Sequence, residues 1–399
     1  MCVCVCVLLF VFLSLFLFFS FTFFFSTSMS EDTSSAEARL WRYIDSDEGT
    51  LTQFCLKIGV QNVEVQKVNL GDHLFNLRPI YGFMMLIKHN ADTIISKNEQ
   101  SNRGDYNLFF ANQMYSEAYL LHGLLHILLN CNQIDIGTDL NQFKQLTSNY
   151  TSKLKGHVLL KNKLFREAYS EMINAWPYRR KVDGAMYHPV SYVLRQGNLW
   201  ELDALKDGPC ILASCSEDNW LDFMQAELVK KAKMYQELDL PISIWAVIES
   251  RKLVYQKKVT SKLFMKQEIE SMLDKHQPDW RKSCQCWEEE YVHALSSSER
   301  IKRGLLLSDR LAHHCSRSDQ LPNEEKQKIY SSLSHNKQGS LIDAWLQIHD
   351  EILRLYERLG LEDEKDEMYQ KNYIRKRHNY IPFIESFVQA LAEQGHFHP

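Results

Sequence analysis

The 399-residue chain is short of glycine and proline, with 15 and 9 of them, and it carries no large excess of charge of one sign. Its 46 Lys and Arg against 50 Asp and Glu give a formal net charge of -4, whereas proteins that bind nucleic acid concentrate basic residues. We therefore expect no nucleic-acid partner. A hydrophobic content of 45% and a charged content of 24% exclude a mainly disordered, collagen-like or multi-span membrane chain.

The cysteines lack the density of a disulfide framework. Three of the ten lie in the first six residues and the other seven are scattered, which indicates reduced thiols in a reducing compartment. Cys284 and Cys286, with His313, His314 and Cys315, fit no standard zinc spacing. We therefore expect neither a metal nor another cofactor, and a cytoplasmic or nuclear location.

Residues 2–25 contain no charge and are long enough to span a bilayer, which takes roughly 20 apolar residues. The segment has no basic residues before its apolar run and no obvious small-residue cleavage site, unlike a typical secretory signal. Three interpretations stay open: a membrane anchor, a secretory signal, and translated upstream sequence with Met29 as the true start. The reduced character of the other cysteines favours the last, so residues 1–28 are left out of the fold prediction.

Helical and strand patterns are mixed between about 38 and 255. Predicted helices lie at 41–58 and 112–129, and predicted strands at 63–65, 80–87, 187–194, 198–202 and 243–249. From about 256 onward, charged residues surround apolar residues at helical spacing, which predicts helices. We predict an α+β fold with one domain at 38–255, a charged helical linker region at 256–340 and a helical C-terminal domain at 341–399.

Three polar residues are candidates for chemistry. His188 lies on one predicted strand and Asp203 ends the next, so the two side chains can meet as a base and the group that orients it, as in thiol and serine hydrolases. Gln113 lies near the start of a predicted buried helix. A His and an Asp in a sheet are more often structural, so spacing alone does not establish catalysis.

Several separate motifs, in this order, resemble the ubiquitin C-terminal hydrolases, papain-like cysteine proteases that cleave bonds after the C-terminal glycine of ubiquitin. The motifs are 78–82 (RPIYG), 109–113 (FFANQ), 190–193 (VSYV), 199–205 (LWELDAL) with Gly208 and Pro209, and 374–384 (IRKRHNYIPFI). The resemblance implies an antiparallel sheet flanked by helices, with ubiquitin as partner. The last motif resembles the docking domain of the long family members, which implies a proteasome or chromatin-remodeller subunit as a partner of residues 341–399.

The resemblance also assigns roles to the polar candidates. Gln113 matches the oxyanion-hole glutamine, His188 the general base, and Asp203 the residue that orients the base. The nucleophilic cysteine of the family should lie six residues after Gln113, but Tyr119 stands there. A phenol has a pKa of about 10 and is far bulkier than a thiol. We expect its oxygen to lie beyond the sulfur position, in the slot for the ubiquitin tail. Cys131 follows 12 residues later, about 18 Å along a continuous helix, and cannot replace the missing thiol.

Three hypotheses about function follow from this substitution. The first is a family member without catalytic activity that binds ubiquitin as a scaffold. The second is an active thiol-dependent deubiquitinase in ubiquitin-dependent protein catabolism, if position 119 is a sequence error, since Cys and Tyr codons differ by one base. The altered neighbours at 120–122 argue against that error. The third is a protein-interaction module that no longer binds ubiquitin and acts through its C-terminal helices.

Overall fold

A computed structural model describes residues 41, 44, 46–90, 108–173, 185–282, 322–324, 326–327 and 341–394. The chain divides into two compact units. One comprises Met1–Ile248 with Ile374–Pro399, and the other comprises Glu249–Tyr373. The leader at 2–25 and the residues from Cys284 to Cys315 considered for zinc lie outside the described residues.

The described residues form six strands and nine α-helices. The strands are β1 (Val63–Val68), β2 (Ile80–Asn90), β3 (Ala185–Arg195), β4 (Asn198–Asp203), β5 (Cys210–Ser214) and β6 (Ile242–Glu249). The helices are α1 (Glu48–Lys57), α2 (Tyr119–Leu128), α3 (Gly137–Leu146), α4 (Ser152–Lys161), α5 (Lys163–Met172), α6 (Trp220–Glu237), α7 (Arg251–His276), α8 (Leu341–Arg377) and α9 (Ile381–Glu393). All five predicted strands are confirmed, and the predicted helix at 41–58 is confirmed over Glu48–Lys57.

The six strands form one sheet in the order β1-β6-β2-β3-β4-β5. β2 pairs with β3 and β6, β3 with β4, and β4 with β5, all antiparallel. β3 and β4 are joined by a tight turn in which Gln196 and Gly197 both have positive φ, a conformation that glycine favours. An antiparallel sheet flanked by helices, followed by a helical C-terminal region, confirms the predicted α+β class.

β2 is apolar along almost its whole length because helices cover both faces of the sheet. Phe83, Met85 and Ile87 belong to a core shared with Trp220 and other residues of α6. The alternate residues face α2, where Gly123 lies so close to Met84 that a Cβ atom on this glycine would be 2.3 Å from the sulfur. Every residue of α2 is buried. The side chains at the start of this helix are therefore held in a packed interior.

The second unit has a separate core formed by α7 and most of α8. Trp280 and Trp345 meet edge to face with ring centroids 5.3 Å apart, among Val259, Ile269 and other apolar residues. The indole of Trp345 also donates to Glu270 at 2.8 Å. This core explains the mixture of apolar and charged residues that predicted helices after 256.

The last turn of α8 and the whole of α9 belong to the first unit. Lys376 donates to Asp47, the residue that caps the start of α1, and Arg377 lies 3.8 Å from Glu171. No residue of α9 is buried. The basic cluster at 375–378 is thus partly engaged by carboxylates of its own chain.

Candidate active site

The sheet register brings His188 and Asp203 together. β3 and β4 pair with Val190 opposite Asp203, which places His188 two residues along the neighbouring strand. His188 Nε2 donates to Asp203 Oδ1 at 2.5 Å, and the Leu205 amide donates to the same oxygen at 3.0 Å. Burial raises the pKa of the Asp203 carboxyl and the hydrogen bond from His188 lowers it, with a net pKa below the ordinary value. The carboxylate stays ionised and fixes the orientation of the ring.

The second ring nitrogen of His188 is left without a partner. The ring is fully buried, and Nδ1 makes no hydrogen bond to any of the described residues. Because Nε2 is engaged by Asp203, Nδ1 is the ring nitrogen that remains available for another partner. This is the geometry of a general base that is oriented by a carboxylate.

Tyr119 is the first residue of α2, directly after the short 3-10 turn Ser116–Ala118. Its side chain is 1% exposed, and its ring stacks on that of Tyr187 with centroids 4.9 Å apart. The hydroxyl donates to the carbonyl oxygen of Ile44 at 3.1 Å. Tyr119 is therefore a packed side chain whose hydroxyl is bound to the main chain near the start of the described residues.

Gln113 lies in an extended segment, six residues before α2 begins. Its backbone N–H donates to the Ala204 carbonyl oxygen at 2.9 Å, and its side-chain Nε2 lies 3.3 Å from the Tyr187 carbonyl oxygen. The prediction that the helix starts at 112 is wrong. The backbone N–H groups of Asn112 and Gln113 donate to the carbonyl oxygens of Ser152 and Ala204, which lie far along the chain, and not within a helix. Gln113 nevertheless lies beside the neighbours of both His188 and Asp203. All four predicted site residues thus belong to one region.

Two supporting residues were missed from the sequence. Asn112 donates from its side chain to the carbonyl oxygens of Lys206, at 2.7 Å, and Ala204, at 3.3 Å. Glu201 is 2% exposed and lies 3.0 Å from the ammonium of Lys206 and 2.9 Å from that of Lys231. Both side chains brace the turn that follows Asp203. The available signal was a glutamate at a buried strand position, since charged groups are seldom buried unless they are paired.

Two further histidines are buried on α2. Burial is the main cause that lowers the pKa of His122 to about 3 and that of His126 to about 4. Nε2 of His126 lies 3.1 Å from both the amide nitrogen and the carbonyl oxygen of Ala111, whereas neither ring nitrogen of His122 has a hydrogen-bond partner among the described residues. Both rings are neutral near pH 7 and serve as core side chains.

Metal ligation and membrane crossing find no support in the residues described. No group of three His, Cys, Asp or Glu side chains among them is arranged to hold a metal ion. Within the same ranges no helix is both long enough and apolar enough to cross a membrane. Four thiols lie among the described residues. Of these, Cys131 follows α2 at the end opposite to Tyr119.

A buried histidine on an antiparallel sheet, oriented by a carboxylate and close to the start of a buried helix, is the arrangement expected of the papain-like thiol hydrolases that the sequence motifs resemble. Residues 41–233 match the family described as "Ubiquitin carboxyl-terminal hydrolase, family 1". Residues 352–397 match the separate C-terminal region described as "Ubiquitin carboxyl-terminal hydrolases". The chain belongs to the ubiquitin carboxyl-terminal hydrolase family, as the sequence motifs predicted.

Curated relatives cover both regions of the chain. A ubiquitin carboxyl-terminal hydrolase isozyme L5 of Dictyostelium discoideum is 25% identical over 90% of this chain and 93% of its own length. Ubiquitin carboxyl-terminal hydrolase ubh-4 of Caenorhabditis elegans is 22% identical over 90% and 89%. Among solved structures, the Trichinella spiralis UCH37 catalytic domain bound to ubiquitin vinyl methyl ester is 25% identical, with a TM-score of 0.46, over 53% of this chain and 96% of that one.

Proposed function

We propose that this protein is a ubiquitin-binding member of the family that does not hydrolyse ubiquitin conjugates, because Tyr119 occupies the nucleophile position. The observation that carries the proposal is the burial of Tyr119, with its hydroxyl bound to the Ile44 carbonyl oxygen at 3.1 Å. Gln113, His188 and Asp203 are retained in the roles that the family resemblance assigns to them.

A buried phenol at this position cannot replace a thiol. Thiolate chemistry benefits from the start of a helix and a neighbouring histidine, which both lower a thiol pKa toward neutrality. A phenol starts from a pKa of about 10, and a hydroxyl that donates to a carbonyl oxygen would lose this bond on ionising. The ring is also stacked on Tyr187, so rotation toward a substrate would break a packed pair. Acyl transfer through Tyr119 is therefore not expected.

The packing accommodates a tyrosine at this position. Its ring has a stacking partner and its hydroxyl has an acceptor, as an adapted core side chain requires. Independent transcripts sequenced across codon 119 test this point directly. A cysteine codon would contradict the proposal and restore the hypothesis of an active deubiquitinase in ubiquitin-dependent protein catabolism.

Ubiquitin binding and ubiquitin hydrolysis are measured separately. Ubiquitin is titrated against the natural protein, and hydrolysis of a ubiquitin C-terminal fluorogenic amide is compared for the natural protein, Tyr119→Cys and Tyr119→Ser. The serine variant removes the same ring without supplying a thiol. We expect micromolar or tighter ubiquitin binding by the natural protein and turnover by Tyr119→Cys alone.

Each contrary result points to a different alternative. Turnover by the natural protein above a blank without enzyme means that another nucleophile exists, and the proposal is wrong. Absence of ubiquitin binding favours the interaction module that acts through its C-terminal helices. Equal turnover by the Ser and Cys variants means that the cysteine thiol is not responsible for the gain.

The C-terminal helix offers a surface for the docking partner implied by the family resemblance. α9 exposes Phe383, Ile384, Phe387 and Val388, and the two phenylalanine rings stack with centroids 6.0 Å apart. We propose that this apolar face contacts a proteasome or chromatin-remodeller subunit, within the C-terminal domain predicted at 341–399. Phe387→Ser should abolish co-purification of such a subunit, while Leu361→Ser, at another exposed apolar position, should leave it intact. Unchanged co-purification with Phe387→Ser would contradict this assignment.

A further inference from the structure

Two adjacent basic residues fasten the last turn of α8 to the two ends of α1. Lys376 donates to Asp47, the residue that caps the start of α1. Arg377 Nη1 lies 3.8 Å from a carboxylate oxygen of Glu171 on α5. The same oxygen is paired at 2.8 Å with the ammonium of Lys57, the last residue of α1. The last turn of α8 is therefore held by α1 directly and by α5 beside it.

The carboxylate that Lys376 contacts is fixed in place by α1. Asp47 accepts a hydrogen bond from the backbone N–H of Thr50 at 3.0 Å and another from its hydroxyl at 2.7 Å. Burial raises the pKa of the Asp47 carboxyl, and the hydrogen bonds from Lys376 and Thr50 lower it, with a net pKa below the ordinary value. The carboxylate is thus ionised near pH 7 and presents a fixed anion to the Lys376 ammonium.

The same two elements also reach the start of α2, where position 119 lies. The Tyr119 hydroxyl donates at 3.1 Å to the carbonyl oxygen of Ile44, which is three residues before the N-cap of α1. The Tyr169 hydroxyl, on α5, donates to the carbonyl oxygen of Glu117 in the 3-10 turn that leads into α2. Tyr169 is two residues before Glu171. Each of these hydrogen bonds thus lies two or three residues along the chain from a carboxylate that holds the last turn of α8.

Packed aromatic rings connect α1 and α5. The ring of Tyr169 meets that of Phe54, on α1, edge to face with centroids 6.0 Å apart. It also contacts the ring of Trp41 at 4.8 Å, and all three side chains are buried. A close-packed interior transmits small displacements, because it has little free volume to absorb them. A shift of α1 therefore reaches α5 and the groups that both elements direct at the start of α2.

We propose that the last turn of α8 is a clasp, closed by the ion pair of Lys376 with Asp47, that couples the C-terminal helix α9 to the start of α2. While the clasp is closed, α1 holds the Ile44 carbonyl oxygen at the Tyr119 hydroxyl. When it opens, this acceptor is held less firmly and the start of α2 opens more often. α9 begins five residues after Lys376, so a change at α9 acts close to the clasp. The proposal depends neither on ubiquitin binding nor on a docking partner.

Hydrogen exchange of the full-length protein, followed by mass spectrometry, tests the clasp. Peptides covering 115–122 report on the start of α2, and peptides covering β4 at 198–203 serve as the reference. Lys376→Gln should accelerate exchange at 115–122 by about two- to fivefold, as the loss of a partly exposed ion pair allows, and leave 198–203 unchanged. Arg375→Gln, which removes the same charge from the exposed preceding residue, should change neither peptide. No acceleration at 115–122, equal acceleration of both peptides, or the same effect from Arg375→Gln overturns the proposal.

Two combined variants then test the route from Lys376 to Tyr119. Asp47→Asn keeps an oxygen that can cap α1 but removes the charge, so adding Lys376→Gln to it should cause no further acceleration at 115–122. Adding Lys376→Gln to Tyr119→Phe should also cause none, because the hydrogen bond to Ile44 is already absent. Full additivity with Asp47→Asn contradicts the ion pair as the contact that closes the clasp. Full additivity with Tyr119→Phe contradicts a coupling that acts through the Tyr119 hydroxyl.

Discussion

Replacing Tyr119 by cysteine should place a thiol beside His188 and at the same time destabilise the first unit. Tyr119 is among the largest fully buried side chains of the protein. Removal of a buried aromatic ring costs about 3–5 kcal/mol, because apolar contacts are lost and a cavity is left. For a unit of this size, that corresponds to a fall of about 6–20 °C in the unfolding midpoint.

The hydroxyl accounts for only part of this loss. Tyr119→Phe keeps the ring on Tyr187 and removes only the hydrogen bond to Ile44. Its expected effect is about 1 kcal/mol, the net contribution of one buried hydrogen bond. Tyr150→Cys provides the matched control, since that side chain is 40% exposed and its loss should change the stability little.

Urea unfolding of the natural protein and the three variants, followed through hydrogen exchange of the α2 amides, measures these differences. The expected order of destabilisation is Tyr119→Cys, then Tyr119→Phe, then Tyr150→Cys. A loss smaller than about 1 kcal/mol for Tyr119→Cys would show that the ring is not part of the core. If Tyr119→Phe were as unstable as Tyr119→Cys, the hydroxyl and not the ring would account for the stabilisation by Tyr119. Absence of hydrolysis by Tyr119→Cys is meaningful only at a temperature where this variant remains folded.

Three further predictions concern core residues around the site. The pKa of His122 is about 3 in the folded protein, so the unfolded chain takes up a proton at this residue first as the pH falls below 6.5, and the folded state loses stability. Without this imidazole, His122→Leu should lose less stability between pH 7.5 and 5.5, by about 1.4 kcal/mol. Urea titrations at the two pH values measure the difference. Glu201→Gln should lower the free energy of unfolding by about 3–5 kcal/mol, because it leaves the ammonium of Lys206 without its buried carboxylate. Thermal unfolding measures this loss. Gly123→Ala should cost about 1–3 kcal/mol in the same assay, since the added methyl meets the sulfur of Met84.

Exposed counterparts provide the controls for these three changes. His157→Leu removes an exposed imidazole and is the matched substitution for His122→Leu. Glu167→Gln removes an exposed pair with Lys163 and should change the stability by less than about 1 kcal/mol. Gly71→Ala adds a methyl group to open space. If a core variant behaves like its counterpart, the buried contact assigned to it does not contribute as described.

Local sequence signals predicted much of the fold and of the site. The nearly continuous apolar run at 80–87 indicates a strand covered on both faces, and α6 and α2 cover β2 in this way. The Gln-Gly turn predicts the hairpin that places Asp203 next to the strand of His188. The family motifs count from Gln113 to position 119, so the prediction that Tyr119 stands at the nucleophile position also rests on the sequence. These features depend on side-chain periodicity, turn preference and residue order, which are local properties of the chain.

Tertiary structure alone decided the contacts between distant segments. β6 lies between β1 and β2 although it comes last along the chain among the described strands, an arrangement that no local pattern specifies. The Tyr119 hydroxyl meets Ile44, 75 residues away, and Asn112 holds a turn more than 90 residues later. The sequence thus determined which chemical groups the protein carries, whereas long-range packing decided which of them are paired and which are buried.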